Sequence, residues 1–215
     1  MAAAGAGGGR GASTGAPPHA GKEHGQGTAP RRWWRGRASS AALRPGGPLE
    51  ALEDHELVAL VLAGGEEAAR VLVERHSATG WRIALGITGN RAVAEEVVQD
   101  AFARAFTHLR GYDRRRPFRP WFCRIVSNCA LNAVRKEPRD LPLLESVPAR
   151  AQDASEAGLL QRIAPLPAPQ RAVLVLHYGV GLTAPEIAQV LGLPVGTVHS
   201  RLGRARAALR GREDP

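Results

Sequence analysis

The sequence predicts an all-α protein: two small helical domains joined by a flexible linker, with a disordered N-terminal tail. Three observations carry that expectation. Apolar residues recur at three- and four-residue spacing within residues 51–137 and again within 158–212. Between them, residues 138–157 carry Pro138, Pro142 and Pro148 and more acids than bases. Ahead of them, residues 1–50 are mostly Gly, Ala, Pro and Ser with no apolar periodicity, so they cannot bury enough surface to offset their ordering entropy.

In the first domain, Leu57 to Leu62 opens a short apolar helix that Gly64-Gly65 ends. Glu66 and Glu67 fall in the first turn of the next helix, where negative charge suits the dipole. Ala68, Ala69, Leu72 and Val73 continue it, and Gly89-Asn90 breaks it. From Arg91 a wide stripe runs through Val93, Val97, Val98, Ala101, Phe102, Ala105, Phe106 and Leu109. The opposite face collects Glu95, Glu96, Gln99 and Asp100. Such a face reads either as ordinary solvated surface or as an acidic docking surface for a basic partner.

A basic, aromatic-bearing loop follows, Gly111 to Pro120, with Pro117 or Pro120 able to sit in the first turn of the next helix. That helix has Trp121, Phe122, Ile125, Val126, Cys129, Ala133 and Val134 on one side. Arg124, Asn128, Asn132 and Arg135 line another. Arg suits phosphate, Asn suits base edges and aromatic rings suit an unstacked base. The competing reading is that the rings are core and the arginines are solvated. For Trp121 and Phe122, core is the better reading.

The second domain begins with a nearly all-apolar helix, Gln170 to Tyr178, opened by Pro169 and stopped at Gly179. Thr183 with Glu186 forms a capping box for a further helix, and Gly192 supplies a tight turn. A last helix runs from about Val195 to Arg210, with Val198, Leu202, Ala205 and Leu209 inward and Arg201, Arg204, Arg206 and Arg210 without one acid. A capped helix, a Gly turn and a basic helix in that order predict a helix-turn-helix. Its second helix places Thr197, His199, Ser200 and Arg201 nearest the bases, and Arg204 nearer phosphate.

Charge agrees with a polyanionic partner. The net charge is +9, and 27 of the 29 basic residues are Arg, which favours bidentate contacts. More than half of that excess lies on residues 1–50, where seven basic residues face only Glu23 and Glu50. The nucleic-acid argument therefore rests on where the arginines of 114–135 and 201–212 stand. A start of translation downstream of much of this tail is one explanation of its composition.

Other classes are disfavoured. The longest uncharged apolar run, Leu57 to Gly65, is about half of the roughly 20 residues a spanning helix needs. Arg31-Arg32 lacks the apolar region of an export signal. Cys123 and Cys129 stand six apart in a helical pattern, which suits neither a disulfide scaffold nor a zinc module. A cytoplasmic setting is expected. Neither a nucleotide-binding glycine loop nor a catalytic triad nor a metal constellation is present, so no enzymatic activity, cofactor or metal is expected.

Three stretches resemble the extracytoplasmic-function (ECF) sigma factors, the minimal members of the sigma-70 family of bacterial transcription initiation factors. Residues 90–102 resemble the region 2.2 helix, residues 116–128 resemble region 2.3 running into 2.4, and residues 196–206 resemble the region 4.2 recognition helix. The resemblance covers about residues 51–212. It implies that Glu95, Glu96, Gln99 and Asp100 dock on polymerase. It implies that Arg116, Phe118, Arg119, Arg124, Asn128, Asn132 and Arg135 meet the minus-ten element. It implies that Thr197, His199, Ser200, Arg201 and Arg204 meet the minus-thirty-five element. The implied partners are core RNA polymerase, through its β and β′ subunits, and promoter DNA, with an anti-sigma factor as a further partner open to such proteins. The sequence departs from the family pattern at Asn132, often Asp, at His199, often Lys, and at Ala94, commonly acidic.

The rival reading is a helix-turn-helix transcriptional regulator that forms no holoenzyme. It explains residues 182–210 but not the aromatic, basic helix at 117–136. An enzyme acting on nucleic acid would need clustered carboxylates, and Glu95, Glu96 and Asp100 lie on one helix face without further ligands.

Overall fold

A single 3₁₀ turn at Leu49–Ala51 leads into helix α1 (Asp54–Leu62). The computed structural model describes residues 48–136, 158 and 160–210, so the expected tail up to residue 47 and the expected linker lie outside the described residues. Helix α1 is held at its start by a reciprocal capping box between Glu53 and Glu56. Helix α2 (Glu66–Thr88) is the longest and ends with Gly89 in the left-handed region. Asn90 caps α3 (Arg91–His108), its side chain accepting from the Val93 N–H at 3.1 Å. Helix α4 (Phe118–Lys136) begins just after Pro117, with Pro120 in its first turn. Among the described residues there is no strand.

Helices α1 to α4 enclose one core. Leu57, Val58, Leu72, Ile83, Ile87, Phe122 and Val126 are fully buried within it. Helices α2 and α4 approach closely because Gly80 has no side chain: a Cβ there would meet the Phe122 ring at 3.2 Å. Phe122 in turn lies against Phe102 and Phe118, with ring centroids 4.5 Å and 6.1 Å away. The stripe read from α3 packs as expected, since Val97, Ala101 and Ala105 are buried.

The second module holds α5 (Ala168–Leu174), α6 (Ala184–Leu191) and α7 (Val195–Arg210). The sequence predicts one helix from Gln170 to Tyr178 stopped by Gly179. Instead α5 gives way to a π-helical turn over Val175–Gly179, in which the Val180 N–H reaches back to the Val175 carbonyl at 3.0 Å. The left-handed residue is Gly181, with φ 81°. The capping box of Thr183 and Glu186 is present, and Gly192 turns the chain at φ 65°.

The two modules share a buried seam, a feature the sequence does not announce. Gly86 of α2 lies against Val175, so tightly that a Cβ there would sit 2.4 Å from its Cγ2. Arg171 of α5 is 9% exposed and donates to the Ile87 carbonyl at the end of α2 and to the carbonyls of Ala164 and Leu166 in its own module. Burial lowers the pKa of its guanidinium.

Candidate nucleic-acid interface

The last helix builds the simplest surface. Val198, Leu202 and Ala205 are buried and pin one face of α7 onto the second module. His199, Ser200 and Arg204 are exposed on the other side, with Thr197 and Arg201 half-buried beside them. Ser200 donates to the Thr197 carbonyl at 3.0 Å. The expected minus-thirty-five residues thus lie together within the first ten residues of one helix, before which α6 and the Gly192 turn are fixed. This is the arrangement of a helix-turn-helix, whose second helix offers its N-terminal part to a groove.

The second surface is built on α4. Phe122, Cys123, Val126, Cys129 and Ala130 are buried, which turns Arg124, Asn128, Asn132 and Arg135 outward. The polar stripe read from the sequence is therefore solvent-facing. Arg135 donates to the Asn132 side-chain oxygen, so these two present as a pair. Burial pushes both Cys123 and Cys129 thiols up to about 11, with Asp100 adding to the shift at Cys129. They are neutral core side chains rather than reactive ones.

The loop before α4 is ordered by one tyrosine. Tyr112 is 7% exposed, packs edge-on to Phe118 and lies against Trp121. Its hydroxyl donates to the Arg116 carbonyl. Asp113 accepts from the Arg115 N–H at 3.1 Å, and the Arg116 N–H bonds the Asp113 carbonyl at 3.0 Å. Arg114, Arg115 and Arg116 are held outward on this turn. Sequence reasoning missed Tyr112; its position beside the triple arginine was the available signal.

Phe118 does not join that exposed set. It is 2% exposed, its ring packed against His76, Tyr112, Trp121 and Phe122. Its contribution here is to the core beneath the loop. Arg119 is exposed, but its Nη2 donates to the Val180 carbonyl of the second module at 2.6 Å. Behind the aromatic cluster, His76 Nε2 lies 3.0 Å from Asp54 Oδ2, and Arg75 donates to Asp54 Oδ1 at 2.7 Å. Burial works against ionisation of Asp54, but these two hydrogen bonds outweigh it and hold the carboxyl below its usual range.

The acidic face of α3 is also exposed as expected: Glu95, Glu96, Gln99 and Asp100 stand together. Two of them are tempered by arginine one turn away. Arg104 Nε lies 2.9 and 2.8 Å from the two Asp100 oxygens, and Arg91 is 3.5 Å from Glu95. Ala94 is fully buried, so its departure from the family pattern falls in the core rather than on this face.

Two family models match the chain: "Sigma-70 region 2" over residues 72–139 and "Sigma-70, region 4" over residues 157–209. The first lies over the α4 surface and the second over the helix-turn-helix. The chain is 30% identical over 170 residues to the ECF RNA polymerase sigma factor SigW of Bacillus subtilis (strain 168), covering 70% of this chain and 91% of SigW. It is 35% identical over 161 residues to the ECF RNA polymerase sigma factor SigL of Mycobacterium tuberculosis, covering 69% of this chain and 91% of SigL. Among solved structures it resembles CnrH, determined in complex with the cytosolic domain of CnrY, with TM-score 0.59, 35% identity and coverage of 75% of this chain and 97% of that one. Two ordered modules, each matched to its own sigma region and matched together to whole relatives, leave one assignment: the chain belongs to the ECF group of the sigma-70 family of RNA polymerase sigma factors.

Proposed function

We propose that this chain binds core RNA polymerase and directs it to promoters by reading two DNA elements, without enzymatic activity of its own and in the cytoplasm. Helix α7 reads the minus-thirty-five element. Thr197, His199, Ser200 and Arg201 lie at the base edges, and Arg204 lies at phosphate. The first module meets the minus-ten element through Arg116 and Arg119 and through the stripe Arg124, Asn128, Asn132 and Arg135. Phe118 serves there by carrying the basic loop. Melting draws on capture of an unstacked base, which offsets part of the few kcal/mol of unpairing. The face of Glu95, Glu96, Gln99 and Asp100 docks on polymerase.

One observation carries this reading over that of a plain helix-turn-helix regulator. The chain has a second outward polar surface, on α4, backed by an aromatic core and flanked by an ordered triple-arginine turn. A regulator needs only α6 and α7. Relatives named as RNA polymerase sigma factors, CnrH among them, support polymerase and promoter DNA as partners, and the structure of CnrH with the cytosolic domain of CnrY supports a further protein partner, which we read as an anti-sigma factor. In vitro transcription with purified core polymerase tests the reading. Specific initiation dependent on this chain is expected. Failure to form holoenzyme, with DNA binding retained, would return it to the regulator class.

A further inference from the structure

Helical residues three, four, seven and eleven apart share a face. On α7, His199 therefore shares one flank with Gly196, Gly203, Arg206 and Arg210, and all five are exposed. A Cβ at Gly196 or at Gly203 would meet nothing within 4 Å, so the positions on either side of His199 are open rather than packed. The imidazole stands out from a bare strip of helix that a DNA groove can approach closely. Thr197, Arg201 and Arg204 lie on the other flank, with Ser200 between the two.

Among the described residues, His199 is the one histidine on either DNA surface named above, since α4 and the turn before it hold none. Two other histidines are committed within the fold: His76 Nε2 to Asp54, and His177 Nδ1 to the Leu182 carbonyl at 2.9 Å. The His199 ring has no hydrogen-bond, ion-pair or ring partner among the described residues. Helix α7 carries no acid, and the charged groups along it are Arg201, Arg204, Arg206 and Arg210. The elements packed against it are α5 and α6. Arg171 of α5 is spent on backbone carbonyls, and Glu186 of α6 is occupied by the Thr183 N–H and hydroxyl. Along its own helix the free chain thus offers this ring cations only, and bound DNA would bring it phosphates.

We propose that His199 is a protonation-dependent specificity residue: on the minus-thirty-five element it binds as imidazolium, donating from one ring nitrogen to a guanine acceptor and from the other to a phosphate oxygen. This rests on the two-element reading above. A charged ring offers two donors, whereas a neutral one offers one donor and one acceptor. In the major groove guanine presents N7 and O6 and no donor, adenine adds an N6–H donor, and cytosine presents only its N4–H donors. The donor-only ring therefore selects guanine, and the neutral ring accepts adenine or cytosine too. Histidine is the side chain whose charge ordinarily changes between pH 5 and 8. At neutral pH and above, binding takes up a proton from solvent. Because the complex favours the charged ring, affinity rises as pH falls, and the gain is lost as pH rises through the value that the ring has in the complex. A proton held one pH unit more tightly in the complex is worth up to about tenfold in affinity.

The test uses holoenzyme assembled from the full chain and purified core polymerase. His199→Lys is charged throughout the range and His199→Gln never is, so both lack the titration. The probes are a pool of short duplexes with a randomised minus-thirty-five window, selected at pH 6 and pH 8, and the most enriched duplex, titrated at both. The wild-type holoenzyme is expected to bind that duplex roughly three- to tenfold more tightly at pH 6 than at pH 8, beyond any change it shares with the variants. Guanine enrichment at one position should sharpen at pH 6 for the wild type and be the same at both pH values for the variants. Either variant carries the comparison if the other fails to assemble. A wild-type pH ratio equal to that of the variants would overturn the proposal, as would tighter binding at pH 8. A pH gain without a change in base enrichment would overturn it too, leaving His199 as a phosphate contact. Failure of the two-element reading looks different: no sequence would be enriched from the pool at either pH.

Discussion

Arg171 Nε stands 2.9 Å from the carbonyl oxygen of Ile87, joining two residues 84 apart in sequence and two modules across their buried seam. The same guanidinium also satisfies the carbonyls of Ala164 and Leu166, at 2.9 and 2.7 Å. A buried arginine with no acidic partner among these bonds is held by carbonyl dipoles alone, which is why burial lowers its pKa. Arg171→Ala removes four donated bonds at once and leaves three carbonyls and a void. It should destabilise the chain by about 3–5 kcal/mol. Urea unfolding followed by circular dichroism measures this. A loss below about 1 kcal/mol would mean that water replaces the guanidinium freely.

Asp54 ties α1 to α2 through His76 and Arg75. Its folded carboxyl lies below the ordinary value of 3.8, so the stabilisation is fully present above that value. It is lost as pH falls through the lower folded value, because protonation then breaks both bonds. The acid limb of the stability curve should therefore flatten in Asp54→Asn. At neutral pH that variant should be about 1–2 kcal/mol less stable. Thermal midpoints between pH 6 and 2 provide the check, and parallel limbs for the two proteins would remove Asp54 as the source.

Tyr112 separates packing from loop order. Its ring belongs to the aromatic core, and its hydroxyl holds the Arg116 carbonyl. Tyr112→Phe keeps the ring, so global stability should change by only about 1 kcal/mol. The arginines of the turn would lose their fixed placement. Binding to a minus-ten single strand should weaken several-fold, whereas binding to a minus-thirty-five duplex should not change. Equal loss on both DNAs would point to general destabilisation instead.

Ser127 carries a different lesson. Its hydroxyl is fully buried in α4 and has no hydrogen-bond partner. An unsatisfied buried hydroxyl costs roughly 1–3 kcal/mol. Ser127→Ala should therefore leave the chain as stable or up to about 1 kcal/mol more stable, since Ala also favours helix. Differential scanning calorimetry reads this directly, and a lowered midpoint would reveal a partner for the hydroxyl in solution.

What was legible in the sequence was local. The capping box of Thr183 and Glu186 and the outward stripe of α4 each depend on residues three or four apart. The seam was not legible, for two reasons. Its partners lie 61 to 97 residues apart. Its acceptors are backbone carbonyls, which every residue has and no side-chain pattern marks. Nothing near Gly86 in sequence marks its role, because its reason, Val175, sits in another module. Phe118 shows the same limit: aromatic character beside arginines fits a base-stacking platform and a buried core equally well, and in the structure its ring packs against His76 and Trp121.

The two arginines on α7 should differ in kind. Arg201 is half-buried in the second turn of the helix, while Arg204 is exposed one turn later, its Nε 3.4 Å from the Ser200 carbonyl. A half-buried arginine has fewer orientations and is better placed to read a base edge, whereas an exposed one can follow phosphate. Arg201→Ala should cost roughly 1–3 kcal/mol on the preferred minus-thirty-five sequence and relax the preference at one position. Arg204→Ala should weaken binding about equally on all sequences and reduce the slope of log affinity against log salt by about 1. Titrations of full-length holoenzyme across salt concentrations, on matched and single-mismatch duplexes, separate the two. If Arg201→Ala changed only the salt slope, base reading would pass to His199 and Ser200, the exposed groups on the same turn.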